Sequence, residues 1–452
     1  MSVPEPDHAQ PSPRTQPHAQ PSPQQVAAAA RGLSRRRLLG AAGALALGGA
    51  LAGPAAAHAA PTAAEAATPH RLRRFTPGDA HRVLQPGTGP VRGRYVPAKA
   101  DEVWWGQLPN RTATPVTVVD SGAVVTVDTI SHEGVLEDQG KDPVGYFSGF
   151  GVPAGQVLTD AVAVAAHAAH SGPGPHVVTG PIAVRGAEPG DVLRIDVLDL
   201  ALRVPYGVVS NREGKGALPG VYPEAFRGVP EFAPYLNEGN NVSVFARVVP
   251  GRGHLRGRLP GPVPASFALA PFMGVMGVAR DTTAMVDSVP PTDAGGNMDI
   301  NDLGVGSTVY LPVHVPGAMF FTGDPHMAQG DGEVALTAME GSLRATFRLT
   351  VIPRGSRGAP ALAFDYPFAE TPDYWIPIGL SDPDANEDGA YDKTLDTAMK
   401  TAVTNAMAFL TDELGMPGPV AYAYLSAASD FQVSQVVDRT TGIHALIRKS
   451  DF

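Results

Sequence analysis

Between Pro290 and Glu340 the chain gathers Asp293, Asn297, Asp299, His314, Asp324, His326, Asp331 and Glu333 among glycines and short apolar runs. Carboxylates and imidazoles are the donors that a divalent cation takes. In Asp324-Pro325-His326 the proline excludes a regular helix, and in extended backbone residues two apart face one side. Asp324 and His326 can therefore grip one ion, and Asn297 and Asp299 repeat the spacing. The chemistry that follows is metal-assisted hydrolysis, with Asp299, Asp324 and His326 as ligands. The cation is divalent: zinc suits the mixed donors, and calcium is the alternative. The same residues also read as a turn cap and a satisfied buried imidazole, so spacing alone leaves both readings open.

Proton carriers are sought beside these ligands. Glu333 opens an apolar run and is a candidate general base, whereas Asp331 sits in an Asp-Gly turn signal. Gln329 is placed to orient a substrate amide and Asn297 to donate to an oxyanion. Upstream, His132 and Glu133 follow the end of a β-pattern, where loops often carry function. His132 is a candidate ligand or proton carrier and Glu133 a second candidate base; a solvated charged loop is the alternative. His167, His170 and His176 form no standard zinc motif, and His314 alternates with apolar neighbours as a structural residue would. Asp384, Asn386, Asp388 and Gly389 imitate the start of a calcium loop, but its twelfth position is Leu395, so the bidentate carboxylate is missing. No Walker loop, dinucleotide fingerprint or nucleophile elbow occurs in a suitable setting.

The elements that must position these residues are mostly strands. With 51 Gly and 45 Pro and only short apolar runs, the chain favours turns and strands over a helical bundle. Val116 to Ile130 reads as a hairpin turning at Ser121-Gly122, and Val192 to Leu200 alternates as a half-buried strand does. Further strands are expected at Val242–Val249, Thr308–Val315, Ala318–Phe321, Val334–Met339 and Leu343–Ile352. One long helix is expected from Leu395 to Leu414, its core stripe being Leu395, Met399, Val403, Met407, Leu410 and Leu414; a shorter one follows over Val420–Ala428. The fold class is mainly β, with sandwich- or barrel-like domains and a few helices, the longest near the C-terminus. Four regions are expected: 1–59 as a leader, 60–103 as a linker with an irregular segment, 104–270 as one β domain, and 271–452 as a second that ends in helices.

The motifs resemble those of the acetamidase/formamidase family. The matching pieces are Gly174–Leu200, Gly274–Ala279, Pro290–Asp299, Leu311–Val334, Ala338–Glu340 and Ser426–Asp438, in the family's order. The resemblance implies hydrolysis of a small linear amide such as formamide or acetamide to carboxylate and ammonia, in a largely β, metal-containing homo-oligomer. It departs at Ala294, where many relatives carry His before Gly-Gly-Asn. Two other readings remain at this point: an amidohydrolase for a larger amide, and an exported β-sandwich binding module whose metal is structural.

Composition narrows the partners. Lys and Arg number 34 against 44 Asp and Glu, for a net charge of −10; without a basic stripe, nucleic acid is excluded as a partner. Zero cysteines exclude disulfides, thiolate nucleophiles and Cys-ligated zinc. Arg35-Arg36-Arg37 before a weak Ala/Gly/Leu run, then Ala57-His58-Ala59, reads as a Tat export signal. That places the protein outside the cytoplasm, secreted or in the cell envelope. The run is short for a membrane span, so none is expected after cleavage.

Overall fold

The computed structural model describes residues 77–226, 228–237, 241–263, 265–384 and 394–452. The expected leader and export signal, the first part of the linker, and most of the Asp382–Gly389 loop lie outside the described residues. Pro61–Phe452 forms one compact unit. Among the described residues no helix is long and apolar enough to cross a membrane.

Two large sheets carry the fold. The nine-stranded one runs, in spatial order, Arg94–Val96, Ala123–Asp128, Leu343–Ile352, Val192–Leu202, Thr308–Pro312, Phe368–Glu370, Tyr374–Leu380, Gly442–Arg448 and Asp430–Gln435. The eleven-stranded one centres on Phe320–Ala328, flanked by Phe272–Gly277, Met339–Glu340 and Val177–Arg185. Alternating apolar residues drive the two together, since each fully buried aliphatic or aromatic side chain contributes roughly 1.5–3 kcal/mol. Phe320 of one sheet meets Phe347 of the other edge to face, with ring centroids 5.4 Å apart. Both sheets interleave strands from either side of residue 270, so the expected boundary at 270/271 is no seam between them.

Local expectations fail where pairing is nonlocal. Gly122 (φ 85°) turns the chain as expected, but the flanking strands form no hairpin. Thr117–Asp120 runs parallel to Val177–Arg185 in one sheet. Ala123–Asp128 lies between Arg94–Val96 and Leu343–Ile352 in the other. Crossing between sheets buries Val125 and Val127 completely, which a free hairpin would leave half covered. The expected strand at Val334–Met339 shrinks to Met339–Glu340, with Val334 exposed.

Four α-helices occur among the described residues: α1 (Pro143–Ser148), α2 (Thr159–His167), α3 (Leu395–Ala408) and α4 (Gly418–Ala428). A π-turn, Phe409–Glu413, continues α3 to the expected end. The C-terminal members of the expected stripe, Met407, Leu410 and Leu414, pack into the core as expected, whereas the buried face of α3 is Ala398, Ala402 and Ala406, with Leu395 and Met399 of that stripe exposed. The reason is close approach to the strand below: a Cβ at Gly379 would lie 2.2 Å from Ala402 N. Only alanine-sized residues fit such a contact.

Candidate active site

The strand Phe320–Ala328 is the spine of the site. Asp324 takes a left-handed conformation (φ 51°), which bends the strand so that its carboxylate Oδ2 sits 2.9 Å from His326 Nε2. Neighbouring strands bring the rest. His326 stands opposite Glu340 on one side and Phe272 on the other, and Glu340 Oε1 lies 3.0 Å from Nε2. Asp299 follows the short strand Gly295–Asn297, which pairs with Phe272–Gly277. Its Oδ1 is 3.8 Å from His326 Nδ1. Glu333 reaches to 3.9 Å from His326 Nε2. His132 Nδ1 is 3.4 Å, and His176 Nε2 3.8 Å, from the two Asp324 oxygens.

Three of these carboxylates pay for their position in backbone strain. Asp299 (φ 50°), Asp324 (φ 51°) and Glu333 (φ 46°) all sit in the left-handed region, which costs of order 1–3 kcal/mol at a residue with a Cβ. Such strain persists only where surrounding structure fixes it, as tends to happen at functional sites. Gly274 makes the convergence possible. A Cβ there would fall 2.4 Å from Asp299 Oδ1, 2.6 Å from Asp324 Oδ2 and 2.9 Å from His326 Cε1, so the three residues meet over the hole that the glycine leaves.

The electrostatics describe a cluster short of positive charge. Burial, reinforced by the charge of Asp299, pushes the Glu333 carboxyl well above its usual range. Burial, with Asp299 and Glu333 beside it, does the same to Asp438. Burial also lifts Glu340 to about 7 and Asp299 to about 6, in both cases against the pull of His326. Asp324 goes the other way: burial would raise it, but His326, His176 and His132 hold it well below the usual carboxylate range. Burial drives His176 down to about 4. Burial would lower His132 too, but Asp324 and Glu133 outweigh it and raise it to about 10.

The fit to a cation rests on unspent lone pairs. Both Asp299 oxygens, Asp324 Oδ1, Glu340 Oε2 and Asp438 Oδ2 are buried without a hydrogen-bond partner, although such groups are nearly always satisfied in proteins. Three sets of donors have ligand atoms within 4.8 Å of one another: His132, His176 and Asp324; Asp299, His326 and Glu333; Asp324, His326 and Glu340. The residues present fit a divalent ion.

These groups floor a cavity of about 800 Å³, whose exposed wall includes Glu137, Lys215 and Ala217. The matching family model is that of the Acetamidase/Formamidase family, over residues 173–288 and 282–447. The chain belongs to that family. An acetamidase of Mycolicibacterium smegmatis is 30% identical over 311 residues, covering 56% of this chain and 73% of that protein. A formamidase of Methylophilus methylotrophus is 30% identical over 303 residues, covering 58% and 73%. The fold matches the crystal structure of an acetamidase from Yersinia enterocolitica, with TM-score 0.59, 22% identity, and coverage of 82% of this chain and 95% of that one. An acetamidase from Bacillus halodurans gives TM-score 0.56 at 22% identity, over 79% and 98%.

Within this family member the expected residues fall into two groups. The structure gathers Asp299, Asp324, Glu333, His132 and Asn297 on the cavity lining, with His326 buried behind Asp324 and Glu340. It leaves Glu133 and Gln329 out of the cavity lining. Glu133 accepts hydrogen bonds from Ser210 and Gln139. Burial is outweighed there by Arg212 and His132, which hold its carboxyl down to about 2, so it is a poor base. Gln329 spends its amide on the protein: Oε1 faces His326 Nδ1 at 3.0 Å, and Nε2 donates to the Asp299 and Ser434 carbonyls. It orients a site imidazole, not a substrate. Asn297 donates its Nδ2 to Val289 O (3.1 Å) and leaves Oδ1 buried and free. The free atom is an acceptor, suited to a substrate N–H and unsuited to an oxyanion.

His176, Glu340, Asp438 and Gly274 were not singled out from spacing. Each lies at or near the edge of a motif shared with the family, which was the available signal. Ala294 is buried in the hydrophobic core and does not line the cavity, so a side chain there would act from behind the site. His314 also lies outside the cavity, and burial lowers its affinity for a proton. Ser434, His444 and Asp302 form a chain of 2.8 and 3.0 Å contacts that imitates a nucleophilic triad. Ser434 and His444 are buried and line no part of the cavity, so this chain braces the fold.

Proposed function

We propose that this chain hydrolyses a small linear amide to carboxylate and ammonia, with a divalent cation bound among Asp299, Asp324 and His326. Imidazole with carboxylate favours zinc over calcium, which takes oxygen donors. The observation that carries the reading is the buried cluster of unspent lone pairs opening on one cavity, in a member of an amidase family. A protein whose ions only brace a fold has no need of a cavity at the cluster.

When bound, the cation supplies Lewis-acid polarisation of the amide carbonyl and of water. The chain's own groups do the rest. Asn297 Oδ1 accepts an N–H of the amide and sets the carbonyl's direction. Glu333 takes the proton from the attacking water, its carboxylate lying at the cavity floor within 3.9 Å of His326. His132, held between Asp324 and Glu133 at 3.4 and 3.3 Å, keeps a proton on its ring and gives it to the departing nitrogen. Closure of the cavity floor by Leu336, Val289 and Pro175 keeps these contacts in a low-dielectric setting, where they act most strongly.

The test is ammonia release from formamide and acetamide alongside metal analysis. Asp324→Ala and His326→Ala should each lose at least about 10³-fold in turnover and lose bound metal together. Normal turnover with normal metal content in either variant would overturn the assignment.

A further inference from the structure

The cavity is uneven in charge. Its floor is acidic, but beside Glu137 and Asp138 its wall carries Arg212, Lys215 and Arg439. Two of these are committed. Arg212 Nε lies 3.1 Å from Asp138 and its Nη2 3.5 Å from Glu133, and Arg439 pairs with Asp287. Lys215 is exposed on the cavity lining, and no ion-pair or hydrogen-bond partner for its ammonium occurs among the described residues. Partial burial, with the two guanidinium groups beside it, lowers its proton affinity.

Lys215 is also held in place. Ala217 N donates to Val334 O (2.9 Å) and Asn211 Nδ2 to Ala335 O (2.6 Å), stitching the lysine loop to the segment that directly follows Glu333. A Cβ at Gly216 would meet Asn211 Nδ2 at 2.4 Å, so the loop lies flat against that segment. The lysine loop is thus tied to the segment that carries the candidate base, with Lys215 and Glu333 both lining the cavity. The cavity, at about 800 Å³, is within the range of roughly 300–1,000 Å³ that takes drug-sized ligands, far more than an amide of a few heavy atoms fills.

We infer that the preferred substrate is an amide whose acyl chain ends in a carboxylate, a half-amide of a dicarboxylic acid, with the amide on the acidic floor and the carboxylate against Lys215. This rests on the amide-hydrolase reading above. The water oxygen bonds to the carbonyl carbon, the carbon–nitrogen bond breaks, and the nitrogen leaves with the protons of that water as ammonium, so half-amide and water give dicarboxylate and ammonium. The acidic floor repels the substrate's own carboxylate and the cationic wall attracts it, so only one orientation delivers the amide to Glu333.

The experiment compares malonamate, succinamate and glutaramate with butanamide and pentanamide on the metal-loaded full chain. A charged hydrogen bond is worth about 1.5–3 kcal/mol, so kcat/KM for the half-amide of best length should exceed that for the neutral amides by roughly 10- to 100-fold. Lys215→Met should bring the ratio towards one, Lys215→Arg should keep most of it, and added salt should lower it. A wild-type ratio near or below one, or a Lys215→Met variant that lowers both substrates alike, overturns the inference. Should no amide turn over, the hydrolase reading fails separately. Calorimetric titration with succinamate and butanamide then decides: tighter binding of succinamate that Lys215→Met abolishes supports the inference, and equal binding overturns it.

Discussion

Two regions of this molecule bury several carboxylates, and they behave in opposite ways. Around Arg203, acid is matched by base. Arg203 is fully buried, with Nη2 2.8 Å from Asp160 and 3.5 Å from Asp128, and Arg344 meets Asp128 through Nε at 2.6 Å and Nη2 at 2.9 Å. Tyr95 adds a hydrogen bond of 2.6 Å to the same carboxylate. Around His326, acid outnumbers base: Asp299, Asp324, Glu333, Glu340 and Asp438 crowd three imidazoles, with no Lys or Arg paired to Asp299, Asp324, Glu333 or Glu340 as Arg203 is to Asp160. Buried acid is therefore no mark of a site by itself. The mark is buried acid that the fold leaves uncompensated, because only a ligand can then complete it.

The comparison breaks most directly by exchanging what each region loses. Arg203→Met removes the matching cation from Asp128 and Asp160 and should cost about 3–5 kcal/mol of stability, read from denaturant midpoints, with metal content per folded molecule retained. Asp324→Ala should do the reverse, emptying the site of metal while leaving the metal-free protein as stable as its parent or more so. If Arg203→Met proves neutral, or Asp324→Ala unfolds the metal-free protein, the distinction between the two clusters is wrong.

How much of this was legible in the sequence follows from the range of the contacts. Asp324 and His326 share a strand, and Asp299 stands beside Asn297, so a spacing of two suffices to suggest them. His176, Glu340 and Asp438 come from other segments, and only sheet pairing sets Glu340 opposite His326. No periodicity encodes that register. The long helix was legible as a helix and in its C-terminal contacts through Met407, Leu410 and Leu414, but not in its first turns, because the contact that selects Ala398 and Ala402 is made by Gly379 on a distant strand. Glu133 was misread for a related reason: its partners Ser210 and Arg212 lie far away in the chain, and they turn a candidate base into a paired structural anion.

Those two glycines sharpen the comparison at smaller scale. Gly274→Ala would push a methyl group into the convergence of Asp299, Asp324 and His326, so turnover and metal affinity should fall by about 10²-fold with little change in the unfolding midpoint of the metal-free protein. Gly379→Ala would drive a methyl group into the backbone of α3 and should lower that midpoint while bound metal persists in the folded fraction. Equal effects of both variants on both readouts would show that the site is not built around Gly274.

The smallest effect tests whether the acidic cluster is positioned or merely crowded. Gln329 links the two halves of the site, since its Oε1 faces His326 Nδ1 while its Nε2 holds the Asp299 carbonyl at 2.8 Å. An acceptor on Nδ1 keeps that nitrogen's proton in place and turns Nε2 towards Asp324 and Glu340. Gln329→Ala frees the ring to rotate without changing any charge. Metal affinity by competition with a chelator should weaken by roughly 10- to 100-fold, and Gln329→Glu, which keeps the acceptor but adds an anion, should bind metal more tightly than the alanine variant. Unchanged affinity in Gln329→Ala would mean that Asp324 and Glu340 alone fix the imidazole, because both would still grip Nε2 from 2.9 and 3.0 Å.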